Sequence, residues 1–145
     1  MLYKPIRVAN IMKIETMTLK VGNVTRAVSS YSYDDIGRLV SVKRSGNASM
    51  NQNKNRYSEK ILSFSPNGSI ECLQRYGKKN NGTFGLIDDL TYSYNGNQVK
   101  AISDKAGSLL YNGSFDFKDG ANADVECFYD ANKIPFKILG TLLNT

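Results

Sequence analysis

The sequence predicts an all-β fold: an antiparallel meander of repeated β-hairpins that forms an open sheet or a partial shell with polar connecting loops. Two observations predict it. One is a motif that occurs in four copies, and the other is the alternation of apolar and polar residues around each copy. A third is composition, because a hydrophobic share of 41% with 10% aromatic residues is enough for a core. The 145 residues match the size of one domain.

The motif consists of two aromatic or apolar residues separated by one residue, then a turn, then a second apolar run. It recurs at intervals of roughly 30 to 35 residues, a period typical of repeat proteins. The pattern is defined by Tyr31, Tyr33, Asp34, Gly37, Arg38 and Leu39 in the first copy, Phe64, Asn67 and Gly68 in the second, Tyr92, Tyr94, Asn95 and Gly96 in the third, and Tyr129 and Asp130 in the fourth.

Each copy is predicted to form a hairpin. Tyr31 and Tyr33 share one face of a strand and Ser32 occupies the other, an alternation typical of a half-buried strand. The Asn-Gly and Asp…Gly centres tolerate the positive φ angles that hairpin turns require. After the turn, Leu39 and Val42 are three residues apart. This spacing predicts opposite faces, so that the return strand contacts apolar neighbours on both sides.

The aromatic pairs are expected to pack in the core. Aromatic side chains bury large areas, and exposed rows would leave too little core for a chain of this size. The alternative is that the rows are exposed and bind glycans.

The organisation along the chain follows from the repeat. Residues 1–30 form a strand-forming lead-in, 31–132 contain about four hairpin repeats, and 133–145 are a degenerate end of the same domain. Partial alternation over Ile11–Val24 predicts one or two strands, with a short helix over Ile11–Leu19 as the alternative. Polar loops are predicted at 44–56 and 76–83, and an extra hairpin at Asn112-Gly113. The whole chain should form about ten strands.

The repeat resembles a known family. The motif Tyr-Asp-x-x-Gly-Arg-Leu, from Tyr33 to Leu39, resembles the YD (tyrosine–aspartate) repeat of RHS proteins. The stretches 86–99, 111–123 and 129–132 resemble the form that this repeat takes in Bacteroidetes-type RHS proteins. The chain departs from the pattern where Phe64-Ser65 replaces Tyr-Asp, in the shorter third turn, and at Lys133-Ile134-Pro135, where Gly-Asn-Leu is expected.

This resemblance implies a structural role. Long RHS chains wind such strands into a shell that encloses a C-terminal toxin or effector, and they are exported or surface-associated. About four repeats cannot close a shell, so the chain is expected to be a fragment or a truncated member. Its open edges are expected to associate with a second copy or with neighbouring RHS repeats, or to be covered by a terminal element.

The function expected from this resemblance is therefore that of a non-catalytic scaffold or assembly surface of a larger toxin-encapsulating or cell-surface type protein. A carbohydrate or cell-surface binding module that uses exposed aromatic rows is the alternative. A hydrolase is a third and less favoured reading.

The residues that commonly perform chemistry are sparse. Histidine is absent, and two distant cysteines, Cys72 and Cys127, do not make a zinc site. They are expected to be free and packed in strands, with a bridge between them as the alternative. Asp88 and Asp89 are adjacent in a predicted strand and point to opposite faces, so they do not face one another across a substrate, and Asp34 and Asp35 are expected to bond the backbone of their turn. No enzyme, cofactor or metal site is expected, and a calcium loop aligned on Gly120 fails because phenylalanines occupy its ligand positions.

Net charge and hydropathy limit the classes of partner that the sequence favours. The formal net charge of +6 would suit nucleic acid, but the basic residues are scattered and their densest cluster, Arg75, Lys78 and Lys79, is predicted near a loop. A nucleic-acid partner is therefore not favoured. No apolar run approaches the roughly 20 residues of a membrane span, and no signal peptide is evident. A location at the cell surface thus rests on the family resemblance alone.

Overall fold

The computed structural model describes residues 6–7, 11–47, 55–110, 116–121 and 123–139. These residues form ten β-strands and no helix, which confirms the all-β prediction. The strands are β1 (Ile6–Arg7), β2 (Lys13–Val21), β3 (Val24–Tyr33), β4 (Leu39–Ser45), β5 (Glu59–Phe64), β6 (Ile70–Lys78), β7 (Phe84–Asn95), β8 (Gln98–Asp104), β9 (Cys127–Tyr129) and β10 (Pro135–Ile138).

Eight of these strands form one sheet. Its order is β2-β3-β4-β5-β6-β7-β8, each strand is antiparallel to its neighbours, and β1 pairs with the end of β5. The sheet does not close, so β2 and β8 are its edges. Strands β9 and β10 form a separate antiparallel pair. The predicted open meander of hairpins is confirmed.

The lead-in residues belong to the same sheet. A hairpin joins β2 to β3 through Gly22, whose φ is +59°. The strand prediction over Ile11–Val24 is therefore confirmed, and the alternative helix over Ile11–Leu19 is wrong. The hairpin predicted at Asn112-Gly113 falls outside the described residues.

One five-residue turn occurs four times. In the turn at 34–38, the first N–H donates to the fifth carbonyl (3.0 Å) and the fourth N–H donates to the first carbonyl (3.1 Å). The same two bonds measure 2.8 and 2.9 Å at 65–69, 2.8 and 2.9 Å at 79–83, and 3.0 and 2.9 Å at 130–134. The turn at 79–83 lies where the sequence predicted only a polar loop. The third copy of the motif instead has a tight turn, in which Asn95 pairs with Gln98.

The fourth position of each five-residue turn has a positive φ, which is +81° at Gly37, +86° at Gly68, +81° at Gly82 and +64° at Lys133. A side chain is disfavoured there because its Cβ approaches the following carbonyl oxygen. Lys133 nevertheless adopts this conformation, so the fourth copy retains the turn after losing its glycine. The sequence departure at Lys133 is thus a strained version of the same turn.

A β-bulge follows the turn in every copy of the motif. In the first copy Tyr33 pairs with Leu39 while Ser32 pairs with Ser41, so Val40 is the extra residue. The equivalent extra residues are Glu71, Lys100 and Phe136. A bulge shifts the alternation of faces by one residue.

The bulge overturns one prediction about the return strands. Val42 pairs with Tyr31 and Leu39 pairs with Tyr33. Residues that face each other across a ladder share a side of the sheet, so Leu39 and Val42 lie on the same face. The prediction that they lie on opposite faces is wrong, because it counted residues without the inserted Val40.

The core is smaller and less aromatic than the sequence predicted. Of the four motif anchors, Phe64 is buried, at 4% exposure, whereas Tyr33, Tyr94 and Tyr129 are half-buried. Cys72 and Cys127 are free thiols, as expected, and burial raises the pKa of Cys127. The buried apolar residues are Ala27, Val28, Val40, Phe64, Ile87, Leu90, Leu109 and Cys127. A single sheet cannot enclose every aromatic row. Among the four anchors, the expectation of a buried aromatic side chain is therefore fully met only at Phe64.

The positive φ angles in the turns lead to a matched set of substitutions. We expect Gly37→Ala to lower the free energy of unfolding by about 1–2 kcal/mol, because a Cβ is strained at this φ although no atom lies within 4 Å of it. Lys133→Gly should raise it by up to about 1 kcal/mol by relieving the same strain. Urea unfolding followed by circular dichroism measures both changes. Gly107→Ala, at an open position without positive φ, is the control, and an equal loss there would contradict the strain argument.

Candidate functional site

The motif residues lie at the hairpin ends of the sheet and along the strands that meet there. In the first copy the turn is organised by Asp34, which is 6% exposed. Its Oδ1 accepts the N–H groups of Ile36 (3.2 Å) and Arg38 (2.8 Å), and its Oδ2 accepts Arg38 Nε at 2.7 Å. Burial acts to raise the pKa of Asp34, but the Arg38 guanidinium and the backbone donors outweigh it and lower that pKa overall.

The other turns use related side-chain bonds. Asp130 Oδ1 accepts the N–H groups of Asn132 and Ile134, each at 2.9 Å. Ser65 Oγ accepts the N–H of Ser69 at 3.0 Å, so a hydroxyl replaces the carboxylate where the second copy departs from Tyr-Asp. Three of the four turns thus begin with a short oxygen-bearing side chain that accepts backbone N–H groups, whereas the turn at 79–83 begins with Lys79 and uses Asn81 Oδ1, which accepts the N–H of Thr83 at 3.1 Å.

Side chains also connect one copy to the next. The Tyr94 hydroxyl donates to the carbonyl of Ile70, and the Tyr129 hydroxyl donates to the carbonyl of Val99 at 2.9 Å. Ile70 and Val99 both come directly before the bulge residue of their own copy. The two tyrosines thus make the same bond to the preceding copy, and burial raises the pKa of Tyr94.

The remaining motif residues have structural contacts of the same kind. Arg38 lies over the Phe64 ring, with its guanidinium carbon 4.1 Å from the ring centroid. Asn67 donates through Nδ2 to Asn97 Oδ1 at 2.8 Å, which joins the second turn to the third. The described contacts of the motif therefore join its turns and neighbouring strands to one another. The motif positions on strands are Tyr31 and Tyr33 in β3, Leu39 in β4, Phe64 in β5, Tyr92, Tyr94 and Asn95 in β7, and Tyr129 in β9.

The β8 edge of the sheet is capped by the segment that follows it, defined here as the described residues of 105–139. Glu126 donates its N–H to the carbonyl of Lys100 (2.8 Å), and its Oε2 accepts the N–H of Ile102 (3.0 Å). Asp119 Oδ2 accepts the N–H of Asp104 at 3.0 Å. Side-chain carboxylates thus satisfy backbone donors that a further strand would otherwise bind.

The β2 edge is open. All nine residues of β2 are exposed, and among the described strands β2 contacts only β3. Ile14, Met17, Leu19 and Val21 are each between 56% and 65% exposed. An exposed edge strand with apolar side chains is a template for pairing with another strand. The sequence predicts open or covered edges, and the described residues contain one edge of each kind.

Three carboxylates from distant parts of the chain meet beneath the capping segment. One oxygen from each of Asp88, Asp104 and Asp116 lies within 4.8 Å of the other two. Asp88 is fully buried; its Oδ2 accepts Arg75 Nε at 2.7 Å and its Oδ1 accepts the N–H of Phe117 at 2.6 Å. Burial raises the pKa of Asp88 despite these donors.

Sequence reasoning missed this cluster because it paired Asp88 with its neighbour Asp89. The side chain of Asp89 instead accepts Gln74 Nε2 at 3.1 Å. Nothing in the spacing of Asp88, Asp104 and Asp116 predicts their meeting, because it depends on where the capping segment crosses the sheet.

Comparisons with known proteins do not identify a relative: no family model, no curated protein and no solved structure matches the chain. The resemblance to RHS repeats therefore rests on the motif residues themselves. The described residues include no helix of the length and apolarity needed to cross a membrane.

The lowered pKa of Asp34 predicts how its contribution depends on pH. In the unfolded chain an aspartate has a pKa of about 3.9, and the folded value lies below its ordinary value. The stabilisation by Asp34 is therefore complete above the unfolded pKa and is lost as pH falls through the folded pKa. The difference in unfolding free energy between the wild type and Asp34→Asn should be constant above about pH 5 and shrink in acid.

Urea titrations at several pH values measure this difference. Asp35→Asn removes the same charge from the same turn at an exposed position, and we expect a smaller loss of stability at neutral pH. A difference for Asp34→Asn that stays constant into acid would show that its charge does not contribute.

The capped edge predicts a second effect. Glu126→Ala leaves the N–H groups of Ile102 and Ala123 without their acceptor, and should lower the unfolding free energy by about 1–3 kcal/mol. Glu126→Gln keeps an acceptor oxygen and should lose less. Amide hydrogen exchange at Ile102 should accelerate in Glu126→Ala, and unchanged exchange there would contradict the capping role.

Proposed function

We propose that this chain is a non-catalytic segment of RHS-type repeats that serves as a scaffold and assembly surface of a larger toxin-encapsulating or cell-surface type protein. The observation that carries the proposal is the asymmetry of the sheet, with one edge capped by carboxylates and the other open and apolar. The repeated turn, bulge and tyrosine bond support it, because they build a unit that stacks on copies of itself.

The open edge supplies the assembly surface. Strand pairing at β2 would satisfy backbone groups and cover the four apolar side chains in one step. The partner that suits this edge is another strand of the same kind, from a second copy or a neighbouring repeat. Lys13 and Glu15 on β2 form an exposed ion pair at 2.5 Å. Because an exposed ion pair contributes little free energy, we expect it to oppose strand pairing only weakly.

An enzymatic function receives less support from the carboxylate cluster. Catalysis requires that substrate reach the reacting groups. The Asp88 and Asp116 side chains are fully buried, and both oxygens of Asp88 already accept hydrogen bonds. A cluster closed in this way suits a structural role.

Carbohydrate binding is a second candidate that one observation favours. Tyr31 and Tyr33 are half-buried and line an open depression together with Glu15, Thr16 and Met17. Tyrosine faces beside polar groups can stack on sugar rings, much as they stack on other flat ligands. Binding on a glycan array that Tyr31→Ala abolishes would move the assignment to this candidate.

Molar mass in solution tests the assembly surface. Size-exclusion chromatography with light scattering across a concentration range should show a dimer or a larger assembly of the wild type. The double substitution Met17→Lys and Leu19→Lys should shift it to monomer, because lysine on an edge strand opposes pairing. Both positions are exposed, so the fold should tolerate the change.

Ile134→Lys is the matched control, because it exchanges an equally exposed apolar residue in the turn between β9 and β10. It should leave the assembly unchanged. A wild type that stays monomeric at the highest concentration would overturn the proposed self-association, as would an assembly that the β2 substitutions leave intact.

A further inference from the structure

The buried carboxylate cluster has the geometry of a cation site. Its three oxygens, one each from Asp88, Asp104 and Asp116, lie within 4.8 Å of one another. Two oxygens that bind one Ca²⁺ ion at 2.3–2.6 Å lie at most about 5 Å apart. The spacing therefore allows a single ion to contact all three.

Unsatisfied oxygens provide a second and independent observation. The Asp116 side chain is fully buried; its Oδ2 accepts the N–H of Leu109 (3.0 Å) and Lys118 Nζ (2.7 Å), while its Oδ1 has no hydrogen-bond partner. Asp119 Oδ1 is also buried without a partner, while Asp119 Oδ2 accepts the N–H of Asp104. Buried polar atoms are nearly always satisfied, so the free Oδ1 of Asp116 within the cluster, and that of Asp119, whose other oxygen bonds the backbone of Asp104, favour a positive ligand here.

The charges around the cluster do not balance. Four carboxylates are present, from Asp88, Asp104, Asp116 and Asp119. Two basic side chains form ion pairs with them, Arg75 with Asp88 and Lys118 with Asp116, each at 2.7 Å. The half-buried carboxylates of Asp104 and Asp119 have no basic partner among the described ion pairs, although Asp104 Oδ1 accepts the N–H groups of Asp89 (2.8 Å) and Ala106 (2.9 Å). A divalent cation would neutralise these two carboxylates.

We propose that Asp88, Asp104 and Asp116 form a binding site for a divalent cation, with Ca²⁺ as the preferred ion, and that the buried Oδ1 of Asp116 is one of its ligands. All donors are carboxylate oxygens, which suit hard cations. Ca²⁺ fits better than Mg²⁺, because it accepts several carboxylates in irregular geometry, whereas Mg²⁺ demands an octahedron and keeps its waters.

The bound ion joins three parts of the fold. Asp88 belongs to β7, Asp104 ends β8, and Asp116 belongs to the capping segment. The ion would therefore fasten the capping segment to the sheet beside the edge that Glu126 and Asp119 cover. This role does not depend on the repeat scaffold being part of a larger protein.

Isothermal titration calorimetry of the chelator-treated chain with CaCl₂ and, separately, MgCl₂ tests the site. We expect a dissociation constant for Ca²⁺ of about 10⁻⁵ to 10⁻³ M, and binding of Mg²⁺ at least about tenfold weaker. Asp116→Asn should weaken Ca²⁺ binding by about tenfold or more, because it removes a charged ligand. Asp130→Asn is the control: this aspartate bonds the backbone of its own turn, so binding should not change.

Lys118→Gln keeps the test decisive if Asp116→Asn does not fold. The Lys118 side chain is 45% exposed, and its removal takes away a positive charge that competes with the ion. This variant should bind Ca²⁺ about three- to tenfold more tightly than the wild type. The proposal is overturned if neither the wild type nor Lys118→Gln binds Ca²⁺ below about 10 mM, or if Asp130→Asn weakens binding as much as Asp116→Asn.

Discussion

Backbone N–H and C=O groups at the edges of an unclosed sheet need hydrogen-bonding partners, and the arrangement of this chain depends on how each edge obtains them. At β8 the partners are carboxylates and a backbone N–H from the capping segment, with Glu126 and Asp119 as acceptors. At β2 no described strand other than β3 is in contact. Among the described residues, the sheet is therefore covered at one edge and able to pair with a further strand at the other.

The repeat is a local structural unit. A five-residue turn with positive φ at its fourth position sets the direction of the return strand. The bulge beyond the turn then shifts the alternation of side-chain faces by one residue. The tyrosine hydroxyl then bonds the preceding copy just before its bulge. The third and fourth copies thus supply their own turns but depend on the preceding copy for this hydrogen bond, as expected of a quasi-one-dimensional array.

How much the sequence predicts depends on how local the determinant is. Glycine at Gly37 and Gly68 and alternation through Ser32 are local signals, and they predict the hairpins correctly. The extra residue Val40 has no local signal, since the equivalent residues Glu71, Lys100 and Phe136 share no chemical type, so the prediction of opposite faces for the return strand is wrong. Local alternation also says nothing about which face is covered: Ser32 is buried while Tyr33 is only half-buried, because burial is decided by neighbouring strands and by the capping segment.

The two edges also differ in how they are held. The repeats are joined by backbone ladders, whereas the capping segment is attached largely through carboxylate oxygens that accept backbone N–H groups. The acidic cluster lies at this attachment. A positive charge bound to the cluster would therefore help to keep the capping segment on the β8 edge. In the proposed assembly, two copies that pair through β2 would present outer β8 edges that the capping segment covers, so the dimer would be the smallest closed unit. Larger assemblies would require that the capping segment leave the β8 edge.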